Sequence, residues 1–274
     1  MACSKGTPVW CRTRTVDLDG ICSPTRRGVV SSAVAISRML LVHGAWHGAW
    51  CWDRVLELLR SSGYRPEAMD LPGHGDSPEP FGDLHRDADA VALRLDVIGE
   101  PTLLVGHSYG GMVITDAGSH EGVAALVYVC AFMPTAGQSL MDAWRGQRRP
   151  EGAAESDLLG CVRFTDDESA MYLEGDGVVS AVYGDCDPPV QQWSLERLGQ
   201  QPTASFTQVP RHLAWASKPT TYVVCTEDRT IPPWHQRQMA GNASRVAELT
   251  ASHSPFLSMP ETLTRVLADA AANV

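Results

Sequence analysis

Nowhere do the 274 residues contain an uncharged apolar run approaching the roughly 20 that a membrane span requires, so no transmembrane helix is expected. Paired Cys-x-x-Cys spacings are missing too: the eight cysteines form no zinc pattern, and a chain this large does not depend on disulfides. Basic charge is in short supply, with 22 Lys and Arg against 32 Asp and Glu, a formal net charge of −10. That balance argues against nucleic acid and anionic membranes as partners. No internal repeat is visible. What remains is the composition of a globular protein, 44% hydrophobic and 20% charged, long enough to bury a substantial core.

Cys51, Cys130 and Cys225 fall in or beside expected core elements and read as buried free thiols, which favours a cytoplasmic location. Whether Cys161 and Cys186 pair is left open. Residues 1–37 differ from the rest, with Lys5, Arg12, Arg14, Arg26, Arg27 and, at the edge, Arg38 against only Asp17 and Asp19. Val29 to Ile36 is apolar but interrupted by Ser31 and Ser32, and it lies too far from Met1 for a secretory signal. A poorly ordered extension is expected there; an added edge strand and a functional start at Met39 are the alternatives.

From Met39 onward strands and helices alternate. Met39–Val42 reads as a short buried strand, Trp52–Ser62 as a helix stopped by Gly63, and Arg65–Met69 as a second strand. Asp83–Ile98 is helical, with Leu84, Val91, Leu95 and Ile98 on one face, and Val123–Val129 is another continuous apolar strand. Thr220–Cys225 and Arg245–Leu249 resume the strands, separated by a helix over Trp234–Ala240, and a helix over Met259–Ala271 closes the chain. This rhythm calls for an α/β fold with a mostly parallel central sheet flanked by helices. Between Thr135 and Lys218 the rhythm breaks. That stretch, with Trp144, Tyr172, Tyr183, Trp193, Phe206 and Trp215 scattered through it, reads as a helical cap inserted into the core. The expected organisation is an extension at 1–37, a core of 38–134 and 219–274, and a cap at 135–218.

Thr102 to Met112 carries the chemistry: an apolar run, the pentapeptide Gly106-His-Ser-Tyr-Gly110, then a helix-compatible segment. Glycines two residues either side of Ser108 are what a tight strand-to-helix elbow needs, because no Cβ fits where strand and helix pass. The elbow leaves the Ser108 hydroxyl at a helix N-terminus, where free N–H groups favour developing negative charge.

A serine needs a base, and the base needs a carboxylate. On such an elbow both follow the serine in the chain, and beyond the elbow's own helix that points to His212, His235 and His253. His253 leads, because it follows the last strand and emerges at the same sheet edge as Ser108. Asp228, in the loop after the Cys225 strand, is the expected orienter, with Glu227 the runner-up. The oxyanion donors are expected to be the N–H groups of Tyr109 and, from the loop after Val42, Ala45. His43 and His47 sit four apart, but two intervening glycines argue for a loop and no carboxylates accompany them, so a metal site is not expected.

Four segments carry a resemblance: Leu41-Val-His-Gly-Ala-Trp-His-Gly-Ala-Trp-Cys-Trp52, Val105-Gly-His-Ser-Tyr-Gly-Gly-Met112, Ala131-Phe-Met-Pro134 and Val224-Cys-Thr-Glu-Asp-Arg-Thr-Ile-Pro232. Together they resemble the α/β-hydrolase superfamily, and within it the plant methylesterase and hydroxynitrile lyase group with its bacterial esterase relatives. The resemblance spans about residues 39–274 and is weakest across 135–218. It implies the α/β-hydrolase fold, a Ser108, Asp228, His253 triad, and an oxyanion hole from the Ala45 and Tyr109 N–H groups. The lyases of the group carry a threonine and a lysine where this chain has Gly44 and Ala251, a departure that favours ester hydrolysis. Tyr109 stands where the plant enzymes commonly have leucine, as in the bacterial branch.

The resulting expectation is a cofactor-independent serine esterase acting on a carboxylic ester of a small, largely apolar molecule, with a homodimer left open. Lyase or cyclase chemistry at the same site is the first alternative, since such enzymes can keep the whole triad. A ligand-binding receptor on this fold is the second.

Overall fold

The computed structural model of the chain describes residues 36–146 and 148–274, so the expectation for the extension lies, Ile36 and Ser37 apart, outside the described residues. The first half runs β1 (Arg38–Val42), α1 (Asp53–Ser61), β2 (Arg65–Met69), α2 (Leu84–Ile98), β3 (Thr102–His107), α3 (Gly110–Ala117) and β4 (Val123–Val129). β8 (Thr220–Cys225), α8 (Pro233–Ala240), β9 (Arg245–Leu249), α9 (Pro255–Ser258) and α10 (Pro260–Ala272) complete the core. The intervening insert holds α4 (Leu140–Arg145), β5 (Val162–Phe164), β6 (Ala170–Leu173), α5 (Gly177–Val182), α6 (Pro188–Leu195), β7 (Gln201–Pro202) and α7 (Ala204–Thr207).

Six strands form one parallel sheet in the order β2-β1-β3-β4-β8-β9. The central strands are apolar without alternation because both faces are covered; every residue of β3 is buried. Pro66 is tolerated because β2 is an edge strand, where a missing N–H breaks no inner ladder. Tyr128 and Tyr222 are register partners with nearly parallel rings, and their buried hydroxyls reach Thr115 Oγ1 at 2.9 Å and Ala131 O at 2.6 Å.

The helices follow from their caps and stripes. Asp83 accepts the Arg86 N–H at the start of α2, Gly99 ends it in the left-handed conformation (φ 62°), and Leu84, Ala88, Val91 and Leu95 fill the buried face. The strand order reverses direction at β1, and Val42 pairs with Gly106. The loops leaving β1 and β3 therefore emerge side by side at the carboxyl edge, the position where ligands bind in sheets of this kind.

The insert contains helices and also a three-stranded antiparallel sheet, β5-β6-β7, that the sequence pattern did not suggest. Its strands of two to four residues are too short for a period-2 signal. Cys51, Cys130 and Cys225 are buried free thiols; Cys161 and Cys186 are also buried, free and unpaired. Among the described residues no helix is long and apolar enough to cross a membrane.

Candidate active site

Ser108 sits between β3 and α3 with φ 51°, in the left-handed region that a non-glycine residue occupies only when its surroundings hold it there. The surroundings are close-packed. A Cβ at Gly106 would lie 2.6 Å from the Gly110 carbonyl oxygen, and one at Gly110 would lie 2.7 Å from that of His43. The Ser108 carbonyl accepts from the N–H groups of Gly111 and Phe132, both at 3.0 Å, so the turn is locked from two directions.

The loop after β1 passes directly over this elbow. Gly44 approaches so closely that a Cβ there would be 2.8 Å from the Ser108 Cβ. Its carbonyl accepts from His43 Nδ1 at 2.8 Å and from the His47 N–H at 3.3 Å. The Leu71 N–H donates to His43 Nε2 at 3.1 Å, so the Nδ1 nitrogen carries the proton and the ring is neutral. Burial lowers the pKa of His43 well below the usual histidine value, in keeping with that state. The Gly44–Ala45 peptide is thus pinned at its carbonyl end. Among the described residues, neither the Ala45 nor the Tyr109 N–H finds a protein acceptor.

His253 follows β9 in the loop ahead of α9, and its Nδ1 lies 2.7 Å from Asp228 Oδ2. Asp228 reaches this position because the loop after β8 turns it inward, while neighbouring Glu227 is exposed. The Asp228 carboxylate is fully engaged: Oδ1 accepts from the Thr230 and Ile231 N–H groups at 2.7 and 2.9 Å, and Oδ2 from Gln236 Nε2 at 2.8 Å. Gln236, completely buried, also accepts the Cys225 N–H at 2.9 Å and donates to the Ile231 carbonyl at 2.6 Å. Nothing in the sequence singles out Gln236.

The His253 backbone is tied to the elbow through His107, whose Nε2–H donates to the His253 carbonyl at 2.9 Å. The two rings stand 4.6 Å apart, so one link joins the residue before Ser108 to the loop carrying His253. Asp185 of the insert grips the same loop by accepting from the Ser252 N–H at 2.9 Å and from its hydroxyl. The other two candidate bases are elsewhere: His235 is buried with Nε2 bonded to the Ala143 carbonyl, which makes it structural rather than solvated, and His212 is exposed.

Candidate metal ligands reduce to one cluster among the described residues, His107, Cys130 and His253, whose donor atoms lie within 4.8 Å of one another. Burial raises the Cys130 thiol well above its usual range, so it stays protonated and bonds the His253 carbonyl at 3.4 Å. His253 Nδ1 is committed to Asp228. That donor set does not suit a cation.

Over Ser108 opens a cavity of about 230 Å³, walled by Trp46, Phe132, Trp144, Met171 and Phe206 and by no charged side chain. The lining hydroxyls of Tyr109 and Thr230 are occupied elsewhere, on Asp87 Oδ2 at 2.6 Å and the Ala181 carbonyl at 2.8 Å. Asp87, buried on α2, was not foreseen either; burial raises its carboxyl from 3.8 to about 7. Trp144 and Phe206 of the insert are pocket wall, whereas Trp193 packs edge-on against Trp50 and Trp215 bonds the Pro134 carbonyl.

Comparisons with known proteins agree with this architecture. The alpha/beta hydrolase family pattern matches residues 39–266. The chain is 30% identical over 249 residues to the alpha/beta hydrolase nvfD of Aspergillus novofumigatus, covering 85% of this chain and 96% of that one. It is also 30% identical over 246 residues to methylesterase 2 of Arabidopsis thaliana, covering 82% and 92%. Among solved structures, the pyrethroid hydrolase of Sphingobium faniae superposes with a TM-score of 0.75 at 27% identity, covering 86% of this chain and 98% of that one. The chain belongs to the alpha/beta hydrolase family.

Proposed function

We propose that this protein is a serine esterase that cleaves a carboxylic ester of a small, largely apolar molecule through an acyl-enzyme. The observation that carries the reading is the buried Asp228–His253 contact of 2.7 Å, at the sheet edge where Ser108 is held at φ 51°. Asp228 accepts the Nδ1–H, which leaves the His253 Nε2 lone pair as the proton acceptor. His253 takes the Ser108 proton as Oγ attacks the ester carbonyl. The carbonyl oxygen, now an alkoxide, receives the free N–H groups of Ala45 and Tyr109. Collapse breaks the carbon–oxygen bond to the alcohol, which leaves with the proton from His253. Water, giving a proton to His253, then attacks the acyl-Ser108 ester; the Oγ–acyl bond breaks as His253 passes that proton to Ser108 Oγ, and the acid is released.

The substrate class follows from the wall. An uncharged lining offers nothing to compensate the desolvation of an ionised substrate group, so a neutral ester with apolar substituents fits. Residues 135–218 act as the cap in this reading, since they supply Trp144, Met171 and Phe206 to the cavity. Names of relatives such as methylesterase 2 and the pyrethroid hydrolase support hydrolysis. The test is turnover of a panel of neutral aryl and alkyl esters by wild type and Ser108→Ala. Loss of activity in the variant with unchanged thermal stability is expected; undiminished activity contradicts the reading.

A further inference from the structure

His47 stands one residue past Trp46 in the loop that carries the Ala45 N–H, and its ring is buried against Trp50, His107 and Phe256. Both ring nitrogens are engaged. Nδ1 lies 2.8 Å from the Ala45 carbonyl and Nε2 lies 2.8 Å from the Tyr183 hydroxyl. A carbonyl only accepts, so Nδ1 carries the proton and Nε2 the lone pair, and the Tyr183 O–H must be the donor. Burial lowers the pKa of His47 to about 4, so the ring is neutral at ordinary pH and this single tautomer is what links Tyr183 to the loop.

We infer that Tyr183, at the end of α5, is a positioning residue for oxyanion stabilisation, anchoring the His47 ring in the orientation that fixes the loop bearing the Ala45 N–H. The inference rests on the esterase reading above and adds the insert as a source of geometric control over the chemical step. Two features make the loop dependent on outside support. Trp46 lies between Ala45 and His47 at φ 64°, a conformation that persists only when its neighbours impose it. The His47 N–H also donates to the Gly44 carbonyl at 3.3 Å, the far end of the peptide whose N–H is that of Ala45.

Without the Tyr183 hydroxyl, a buried Nε2 is left unpartnered. The ring then loses its anchor on the insert side, and the Nδ1–H contact with the Ala45 carbonyl rests on the loop alone. The insert also hydrogen-bonds to the loop through the Trp46 indole N–H on the Met171 carbonyl at 3.1 Å and the Gly199 N–H on the Trp46 carbonyl at 2.8 Å. Trp46 walls the cavity, so its removal mixes substrate contact with loop support. Tyr183 does not line the cavity, and its effect is separable from binding.

The test uses the full chain carrying Tyr183→Phe, His47→Gln, or both. Each is assayed for kcat and KM on a neutral ester and for affinity to a matched pair of ketones. Ser108 Oγ adds to the carbonyl of a trifluoromethyl ketone, its proton passing to His253, and leaves an alkoxide; the plain methyl ketone does not react in this way. For Tyr183→Phe a loss of roughly tenfold in kcat is expected, less than removal of an oxyanion donor outright, with KM within twofold. Trifluoromethyl ketone affinity should fall by a similar factor and methyl ketone affinity should hold. The double variant should be no worse than the poorer single one, because both act through one contact.

Wild-type kcat in Tyr183→Phe, or an equal loss of affinity for both ketones, overturns the inference, the second by showing general loosening. Should a variant fold less stably, the ratio of the two ketone affinities is read at a temperature where its near-ultraviolet circular dichroism matches wild type. A wild-type enzyme that neither turns over esters nor reacts with a fluorophosphonate defeats the esterase reading itself, and the inference falls with it. A reactive wild type with an indifferent Tyr183→Phe defeats the inference alone.

Discussion

His253 Nδ1 and Asp228 Oδ2 meet at 2.7 Å with both side chains sealed from solvent, 3% and 0% exposed. A carboxylate there cannot trade the contact for water, so it fixes both the ring's orientation and its tautomer. Asp228→Asn presents an amide that can donate to Nδ1 and so stabilises the tautomer with the proton on Nε2, where the base is needed. Under the triad reading, kcat should drop by about 10³–10⁴ while KM changes little. Steady-state kinetics on a single ester measures it; a drop below tenfold contradicts the role of Asp228.

Gln236 should matter nearly as much although it touches no substrate. Its amide satisfies the Cys225 N–H, the Ile231 carbonyl and Asp228 Oδ2 from a completely buried position. Gln236→Leu leaves three buried polar groups short of a partner and should cost about 2–4 kcal/mol of stability. Chemical denaturation gives that number, and kcat should fall with it as the carboxylate loosens. Gln236→Glu should be worse, since it sets a second negative charge against Asp228.

Gly44→Ala tests the close approach of the two loops. Its Cβ would come within 2.8 Å of the Ser108 Cβ and 2.7 Å of His107 Nδ1, distances that force one of the loops to move. A loss of about 1–3 kcal/mol is expected from overpacking, together with a fall in kcat as the Ala45 N–H swings away. Unfolding curves and kinetics on the same preparation separate the two effects.

The core and its site were readable to very different depths. The parallel sheet was legible because doubly covered strands such as Leu103 to Val105 are apolar without interruption, and the elbow because its glycines leave a spacing that no other residue can fill. Expected and observed boundaries agree within a residue or two: α2 was expected from Asp83 and begins at Leu84, and β1 begins one residue earlier than expected. The small sheet of the insert was invisible, since β7 spans two residues and gains its pairing from β6 rather than from any local pattern. Gln236, Tyr183 and Asp185 were invisible for another reason. Tyr183 and Asp185 act through partners 136 and 67 residues away and Gln236 across the loop between β8 and α8, and a glutamine, a tyrosine and an aspartate carry no mark of that until the fold brings the partners together.

Asp87 sets a pH dependence of stability. Burial first, with the neighbouring Asp83 charge adding to it against the Tyr109 hydrogen bond, lifts its carboxyl from 3.8 to about 7. Between those values the folded chain holds a proton that the unfolded chain has lost, so this group's contribution is full below 3.8 and is lost as pH rises through about 7. The interval converts to on the order of 4 kcal/mol at 1.36 kcal/mol per pH unit. Asp87→Asn removes the titration. Its melting temperature should therefore decline less than that of wild type between pH 5 and pH 8, and parallel curves contradict the assignment.

In the proposed triad Ser108 is an activated nucleophile. Incubation of the full chain with a fluorophosphonate, followed by intact-mass measurement and peptide mapping, tests that directly. Stoichiometric labelling at Ser108, abolished in Ser108→Ala and slowed by orders of magnitude in His253→Ala, is the expected result. No labelling of wild type, or labelling that His253→Ala leaves untouched, contradicts the proposed triad and brings the ligand-binding reading of the same cavity forward.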